Sequence, residues 1–350
     1  MVPALNTNIS SSGFQTLAMY LLPRSFDEIQ TRLRNGEQST CEDLRWLAKN
    51  ATDGELQLLA RIISGRQNHC NQAIYEFSIE LTLDSSLLSS QTKSSDECAV
   101  RLEDRAALPT VLSQIEELKS AGGAIVRFKR SRYKSARFGS FANIVANLSE
   151  RCGSVFEICP MSVEELIDAA KVNKMTVKEC ASILKRSGAH SISGPGLEIE
   201  EAARRDYDPP LHFIVKKCFP AQAEILSCGL KTDATMIFGC GETFEERLDY
   251  LEGLRVFQDS LCGALTTFIC YQFNEAENSS AQKSLEQEFL RHIALCRIYL
   301  DNFRRVKASP LIIDCSAADA MNYGANYFDI AWPENPRAHK SGAPIGRHHL

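Results

Sequence analysis

Two loops carry residue types suited to handling a small ligand. In Gly239-Cys240-Gly241-Glu242-Thr243 the paired glycines let the backbone approach a bound group, and Glu242 offers a carboxylate as acceptor. Cys240 is a candidate nucleophile, but no His stands near it in sequence to take its proton, so a buried thiol is the simpler reading. The second loop, SGPGLEIE from Ser193 to Glu200, again brackets a rigid residue with glycines, and Glu198 opens a helix whose first turn tolerates a carboxylate. A plain strand-to-helix turn explains that loop equally well. Ser193, Glu198, Cys240 and Glu242, with Gln272 at the end of a later strand, form the candidate pocket.

Other groups are weaker. The basic run Lys129 to Arg137, with Tyr133 and Phe138, has the charge to clamp a phosphate or carboxylate, yet the acidic balance of the chain favours a solvated loop. Cys152 and Cys159 flank a strand, and His348 and His349 stand near the end of the sequence. No two of the 13 cysteines are separated by two or three residues, which disfavours a zinc ribbon, and the His pair reads as a solvated tail.

The elements that must position these loops alternate. Ala234 to Gly239 is an apolar run bounded by Gly, as in a strand buried on both faces of a parallel sheet. Thr243 with Glu246 forms a capping box, and Phe244, Leu248 and Leu251 repeat at helical spacing before a second strand, Ala264 to Cys270. This βαβ unit puts the Glu242 loop just beyond the carboxyl end of its strand, where α/β barrels keep their chemistry. Tyr75, Phe77, Ile79, Leu81 and Leu83 alternate with polar residues over Ala73 to Leu83, and the Ser-rich Asp84 to Glu97 reads as a loop. Helices are expected at Leu108 to Ser120, stopped by Gly122 and Gly123, then at Phe141 to Leu148, Val163 to Ala170 and Val177 to Arg186. Further helices fall at Leu211 to Cys228, kinked or broken at Pro220, and around Glu286 to Asn302. Strands beginning near Ala73, Ala124, Ser154, Ala189, Ala234, Ala264, Val306 and Gly324 make the α/β pattern of a (β/α)8 TIM-type barrel. Before it come short helices started by Ser25 and Thr40 and a third over Gly54 to Ser64. The expected organisation is a helical extension over 1–72, the barrel over 73–332 and an extended tail over 333–350.

A chain of 350 residues, 44% hydrophobic, can bury a large core, and its net charge of −5 with interspersed signs leaves no footprint for nucleic acid or an anionic membrane. Leu17 to Leu22 is too short to span a bilayer and no basic residue precedes it, so a cytoplasmic location is expected. The scattered cysteines then read as buried thiols.

The segments ATMIFGCGETFEERLDYLEGLRVFQD, TTFICYQFNEAEN, LDNFRRVKA and AMNYGANYFD together resemble the second half of the radical S-adenosylmethionine enzymes of the futalosine route to menaquinone. Those are aminofutalosine synthase and dehypoxanthine futalosine cyclase, similar in turn to a subunit of the deazaflavin cofactor synthase. SISGPGLEI resembles the family's Gly-rich loop. The resemblance implies an α/β barrel, a 4Fe-4S cluster held by a C-x3-C-x2-C triad after the first strand, and S-adenosylmethionine on the open iron.

The first half departs from that pattern. The triad positions fall on Leu88, Thr92 and Ser95, with Cys98 alone nearby; the family's Gly-Gly pair falls on Arg127 and Phe128; and its His beside GxET is Cys240. Leu cannot ligate iron. No cofactor is therefore expected, and the favoured reading is a catalytically degenerate barrel that binds a small molecule or serves as partner of a cluster-bearing paralogue, with the helical preface as a heterodimer surface. The alternative is an active aminofutalosine synthase-like enzyme, adding an adenosyl radical to a carboxyvinyloxy-benzoate with Ser193, Glu198 and Glu242 holding polar groups. A third reading gives Glu242 or Cys240 non-radical acid, base or nucleophile chemistry.

Overall fold

The computed structural model describes residues 25–66, 138–152, 157–195, 214–239, 241–272, 279–308 and 317–331, with the backbone of two further strands, 74–82 and 125–129. The expected helix at Leu108 to Ser120, the Ser-rich segment, the loop after Lys129, the triad positions, Glu198, Cys240 and the tail lie outside the described residues.

Three helices come first: α1 (Phe26–Arg34), α2 (Cys41–Asn50) and α3 (Asp53–Arg66). Ser25 caps α1, its side chain accepting from the Glu28 N–H, and Thr40 caps α2 in a full capping box with Asp43. Strands then alternate with helices: β1 (Ile74–Thr82), β2 (Ile125–Lys129), α4 (Phe138–Cys152), β3 (Glu157–Cys159), α5 (Val163–Val172), α6 (Val177–Arg186) and β4 (Ser191–Ile192). After one π-helical turn at Ile214–Cys218 come α7 (Phe219–Ser227), β5 (Lys231–Thr232), β6 (Ala234–Phe238), α8 (Phe244–Ser260) and β7 (Phe268–Gln272). The series ends with α9 (Ser279–Tyr299), β8 (Val306–Ala308), α10 (Ala317–Asn322) and β9 (Tyr327–Ala331).

Every strand pairing among the described residues is parallel. One sheet runs β3-β2-β1-β9-β8-β7-β6, and β4 pairs with β5. The two are stitched into a ring at β3, β4 and β5. His190 N–H donates to Ile158 O (2.9 Å), Ser193 N–H to Met161 O (3.0 Å) and Lys231 N–H to His190 O (3.0 Å), with a parallel bridge between Ser162 and Ser193. Since β5 and β6 are one strand interrupted at Asp233, the circuit is that of an eight-membered parallel barrel, as the alternation predicts. All five residues of β6 are buried, which accounts for its unbroken apolar run.

Of the expected boundaries that move, two have a visible cause. β7 begins at Phe268 rather than Ala264, because the backbone at Leu265 is taken by a side chain: Gln258 Nε2 donates to Leu265 O (3.1 Å), and Leu265 N–H donates to Gln258 Oε1 (3.0 Å). At Pro220 the helix changes form without stopping: the π-helical turn Ile214–Cys218 runs directly into α7, with Cys218 still in the right-handed helical conformation and Pro in the first turn of α7.

The helical preface lies flat against the barrel. Ile29, Leu44, Leu47, Leu56, Leu59 and Ile63 are fully buried in the common core. Arg255 on α8 fixes this docking by donating to the backbone carbonyls of Ser39 (3.0 Å) and Tyr299 (3.0 Å), while Ser39 Oγ donates to Ile298 O (2.9 Å). The apolar face that suggests a partner surface is thus spent within the chain.

Candidate functional site

The carboxyl ends of the strands gather the described candidates. Ser193 follows β4, Gly239 and Glu242 follow β6, and Gln272 ends β7 opposite Phe238. They form one rim, but their roles differ from what the residue types suggest.

Ser193 is half-buried and belongs to the seam: its O accepts from Val163 N–H (3.0 Å), its N–H donates to Met161 O, and its hydroxyl leans on the same carbonyl at 3.4 Å. Gly194 is small for a reason other than a ligand. A Cβ there would stand 2.4 Å from Asp233 O and 2.7 Å from Thr235 Oγ1, so its close approach is to the neighbouring strand.

Glu242 folds back on its own loop. Oε1 accepts from Gly239 N–H (2.7 Å) and from Arg247 Nε (2.8 Å), and its side chain is 1% exposed. Gly239 and Gly241 hold φ of 86° and 95°, the left-handed conformation this tight turn needs. A carboxylate already paired and hydrogen-bonded inside a turn is a poor general base, and its visible work is to shape the loop. The Arg247 guanidinium in turn lies 4.6 Å from the centre of the Phe238 ring. The pair is legible in hindsight, since Arg247 is five residues along from Glu242 in the first turns of α8.

Gln272 is buried, and its Oε1 has no hydrogen-bond partner. Beneath it is a group that sequence reasoning missed. Cys270, two residues earlier on β7, meets His292 and Cys296 from α9, and their three ligand atoms lie within 4.8 Å of one another. All three side chains are buried, and His292 Nε2 also lacks a partner. Burial alone would raise the Cys296 pKa, but the hydrogen bond from the Cys270 thiol and the charge and hydrogen bond of His292 bring it down, while Cys270 goes up. Elsewhere burial prevails: Cys180 is pushed up to about 11. The spacing of His292 and Cys296, four apart on a helix, was the available signal.

A cavity of about 500 Å³ opens at the opposite end of the barrel, lined among others by Glu157, Lys231, Asp233, Arg304, Lys307 and Tyr327. Glu157, Lys231 and Tyr327 are the first residues of their strands, so this space lies at the amino ends, away from where such barrels carry chemistry. Burial works against the Glu157 carboxylate, yet Lys231 at 2.9 Å holds its pKa below the ordinary range.

An iron–sulfur cluster of the kind the family resemblance implies needs three thiolates, each on its own iron. Among the described residues no three thiols converge. The Cys270 group has two sulfurs and an imidazole and packs between strand and helix, so the described residues do not fit that cluster. Among the described residues, too, no helix is long and apolar enough to cross a membrane.

No protein-family model matches the chain. It is similar to aminodeoxyfutalosine synthase of Thermus thermophilus, 25% identical over 241 residues, covering 67% of this chain and 64% of that protein. Cyclic dehypoxanthine futalosine synthase of Halalkalibacterium halodurans is 26% identical over 222 residues, covering 62% and 59%. A 5-amino-6-(D-ribitylamino)uracil–L-tyrosine 4-hydroxyphenyl transferase of Methanosarcina mazei is 24% identical over 265 residues, covering 72% and 68%. The chain spans less than two thirds of the length of the first two of these relatives. Among solved structures, methylornithine synthase superposes with a TM-score of 0.57 at 15% identity, covering 86% of this chain and 85% of that one. The FeFe-hydrogenase maturase of Carboxydothermus hydrogenoformans does so with a TM-score of 0.52 at 14% identity, covering 87% and 70%. The resemblance to enzymes of the futalosine route therefore holds in sequence, and the barrel fold is shared with methylornithine synthase and the hydrogenase maturase.

Proposed function

We propose that this barrel of the radical S-adenosylmethionine type, related to the futalosine-route enzymes, works by binding a small molecule at the carboxyl-end rim and does not carry out radical chemistry. The observation that carries the reading is the ligand set. Where the related enzymes place three cysteines, this chain has Leu88, Thr92 and Ser95: leucine has no donor atom, and the threonine and serine hydroxyls are poor substitutes for thiolates on iron. The rim supports it as well, since Glu242 is committed to Gly239 and Arg247 and presents a fixed loop rather than a free acid or base.

Binding by a preserved scaffold accounts for a second half that stays family-like after the cluster positions have changed. It also leaves room for a cluster-bearing paralogue as partner, met through a surface other than the buried face of the preface. The absence of a spanning helix among the described residues and the free thiols there agree with a cytoplasmic place for it.

The test is anaerobic reconstitution with iron and sulfide, followed by iron analysis and a visible spectrum. Substoichiometric iron and no cluster absorption are expected, and one 4Fe-4S cluster per chain would overturn the proposal. A second reading, an active enzyme of the aminodeoxyfutalosine synthase kind, is favoured by the 25% identity over 67% of the chain. Under it, incubation with S-adenosylmethionine and a strong reductant yields 5'-deoxyadenosine or an adenosylated product; neither is expected here.

A further inference from the structure

We infer that Cys270, His292 and Cys296 form a buried binding site for a single zinc ion that clips β7 to α9, independent of any ligand at the rim. Three donors of the types zinc prefers converge from two elements, with ligand atoms within 4.8 Å of one another. Around one tetrahedral zinc with Zn–S of about 2.3 Å, neighbouring ligand atoms stand about 3.8 Å apart, so a small closing movement would seat all three donors and leave the fourth position to a small ligand such as water. A cube of four irons spreads its ligands over separate metal atoms and does not suit this tight group.

The second observation is the unmet hydrogen-bonding capacity at the same place. His292 is 3% exposed and its Nε2 has no partner, with the ring pressed against Phe238 at 4.2 Å between centroids. Gln272, which shares the helix-facing side of β7 with Cys270, also buries an Oε1 without a partner. Buried polar groups are almost always satisfied, so two orphans beside a pair of thiols call for an occupant.

Charge selects the ion. Two thiolates and a neutral imidazole carry −2, which a divalent cation cancels and a monovalent one does not, and an uncancelled buried charge is costly. Binding releases whatever protons the thiols still hold.

Because the site is enclosed, metal is best supplied while the chain folds. The full chain produced in zinc-supplemented defined medium should carry one zinc, and zinc X-ray absorption on the unsubstituted protein should show two sulfurs and an imidazole. Produced with cobalt instead, it should show thiolate-to-cobalt charge-transfer bands and the strong visible bands of a tetrahedral site. Cys296→Ser should weaken retention against a chelator by at least about 100-fold, whereas Cys262→Ser, at an exposed cysteine, should not change it. A metal shell of three or four sulfurs, a shell without sulfur, or no bound metal would overturn the assignment. So would cobalt bands that survive both Cys270→Ser and Cys296→Ser. The absorption measurement needs no substitution, so a poorly folding variant does not blunt the test.

Discussion

Cys296 and Arg297 are neighbours in sequence on α9, yet they occupy opposite kinds of buried polar environment. Arg297 is fully buried and its guanidinium is met on each side. Nε donates to Gly324 O (2.9 Å), one terminal nitrogen to Phe303 O (2.8 Å) and the other to Asn326 Oδ1 (3.1 Å). Asn326 is satisfied in turn, accepting from Val306 N–H and donating to Arg304 O. On the Cys296 side, His292 Nε2 and Gln272 Oε1 are left without partners. A closed network of this kind holds α9 to the turn before β9, whereas an open one beside two thiols has no structural return unless something fills it. The same helix thus separates polar burial that builds the fold from polar burial that awaits a ligand.

The sharpest way to break the contrast is to cut the closed side. Arg297→Ala removes every donor from the carbonyls of Gly324 and Phe303 and leaves a large void, so a loss of about 3–5 kcal/mol is expected in urea unfolding. A loss under about 1 kcal/mol would mean that the network is not structural. Next comes Gly324→Ala. This residue has φ of 95°, and a Cβ would stand 2.7 Å from Arg297 Cγ, so the substitution strains backbone and guanidinium stem together. About 1–3 kcal/mol is expected, read from the same midpoint shift.

The two sides also differ in what the sequence discloses. Alternation over Ile74 to Thr82, the apolar run of β6 and the Ser25, Thr40 and Thr243 caps are local patterns, and the structure realises them nearly in place. Local patterns cannot report a partner elsewhere in the chain. That is why Ala264 to Thr267 looks like strand until Gln258 is seen holding Leu265, and why Gly194 looks like ligand space until Asp233 is seen beside it. Glu242 belongs to the same class, since an acidic residue at a strand end reads as chemistry until Arg247 closes on it. The Cys270 group was hidden for a further reason: its sulfur is 22 positions before His292, on a different element. In the other direction, the changes at Leu88, Thr92 and Ser95 are visible only in sequence, because those residues lie outside the described ones.

Smaller effects sharpen the open side. In metal-free protein, His292→Leu removes an unsatisfied Nε2 at the cost of the imidazole's hydrogen bond to Cys296, so its stability should stay within about 1 kcal/mol of the parent, in either direction. The large penalty usual for a buried residue would mean that His292 already has a structural role without metal. Zinc should raise the melting temperature of the parent and leave that of the variant unchanged.

The smallest effect uses a second histidine that is satisfied. His190 sits on the seam between β3 and β4, where its Nδ1 accepts from Ile158 N–H at 3.2 Å while its backbone bonds both neighbouring strands. Burial lowers its pKa below the ordinary value of 6.5, with Lys185 and Lys231 pushing the same way and Glu157 opposing. A base whose folded pKa is depressed contributes stability that is present above its unfolded value and is lost as pH falls through the folded one. Protonating Nδ1 would also cost the bond from Ile158 N–H. Stability should therefore decline below about pH 6.5, by well under about 1 kcal/mol because the imidazole is partly solvated. His190→Asn, which keeps an acceptor but cannot titrate there, should flatten that part of the pH profile while leaving neutral-pH stability nearly unchanged. An identical acid decline in the variant would assign it to other groups and leave the seam histidine with geometry alone to explain its position.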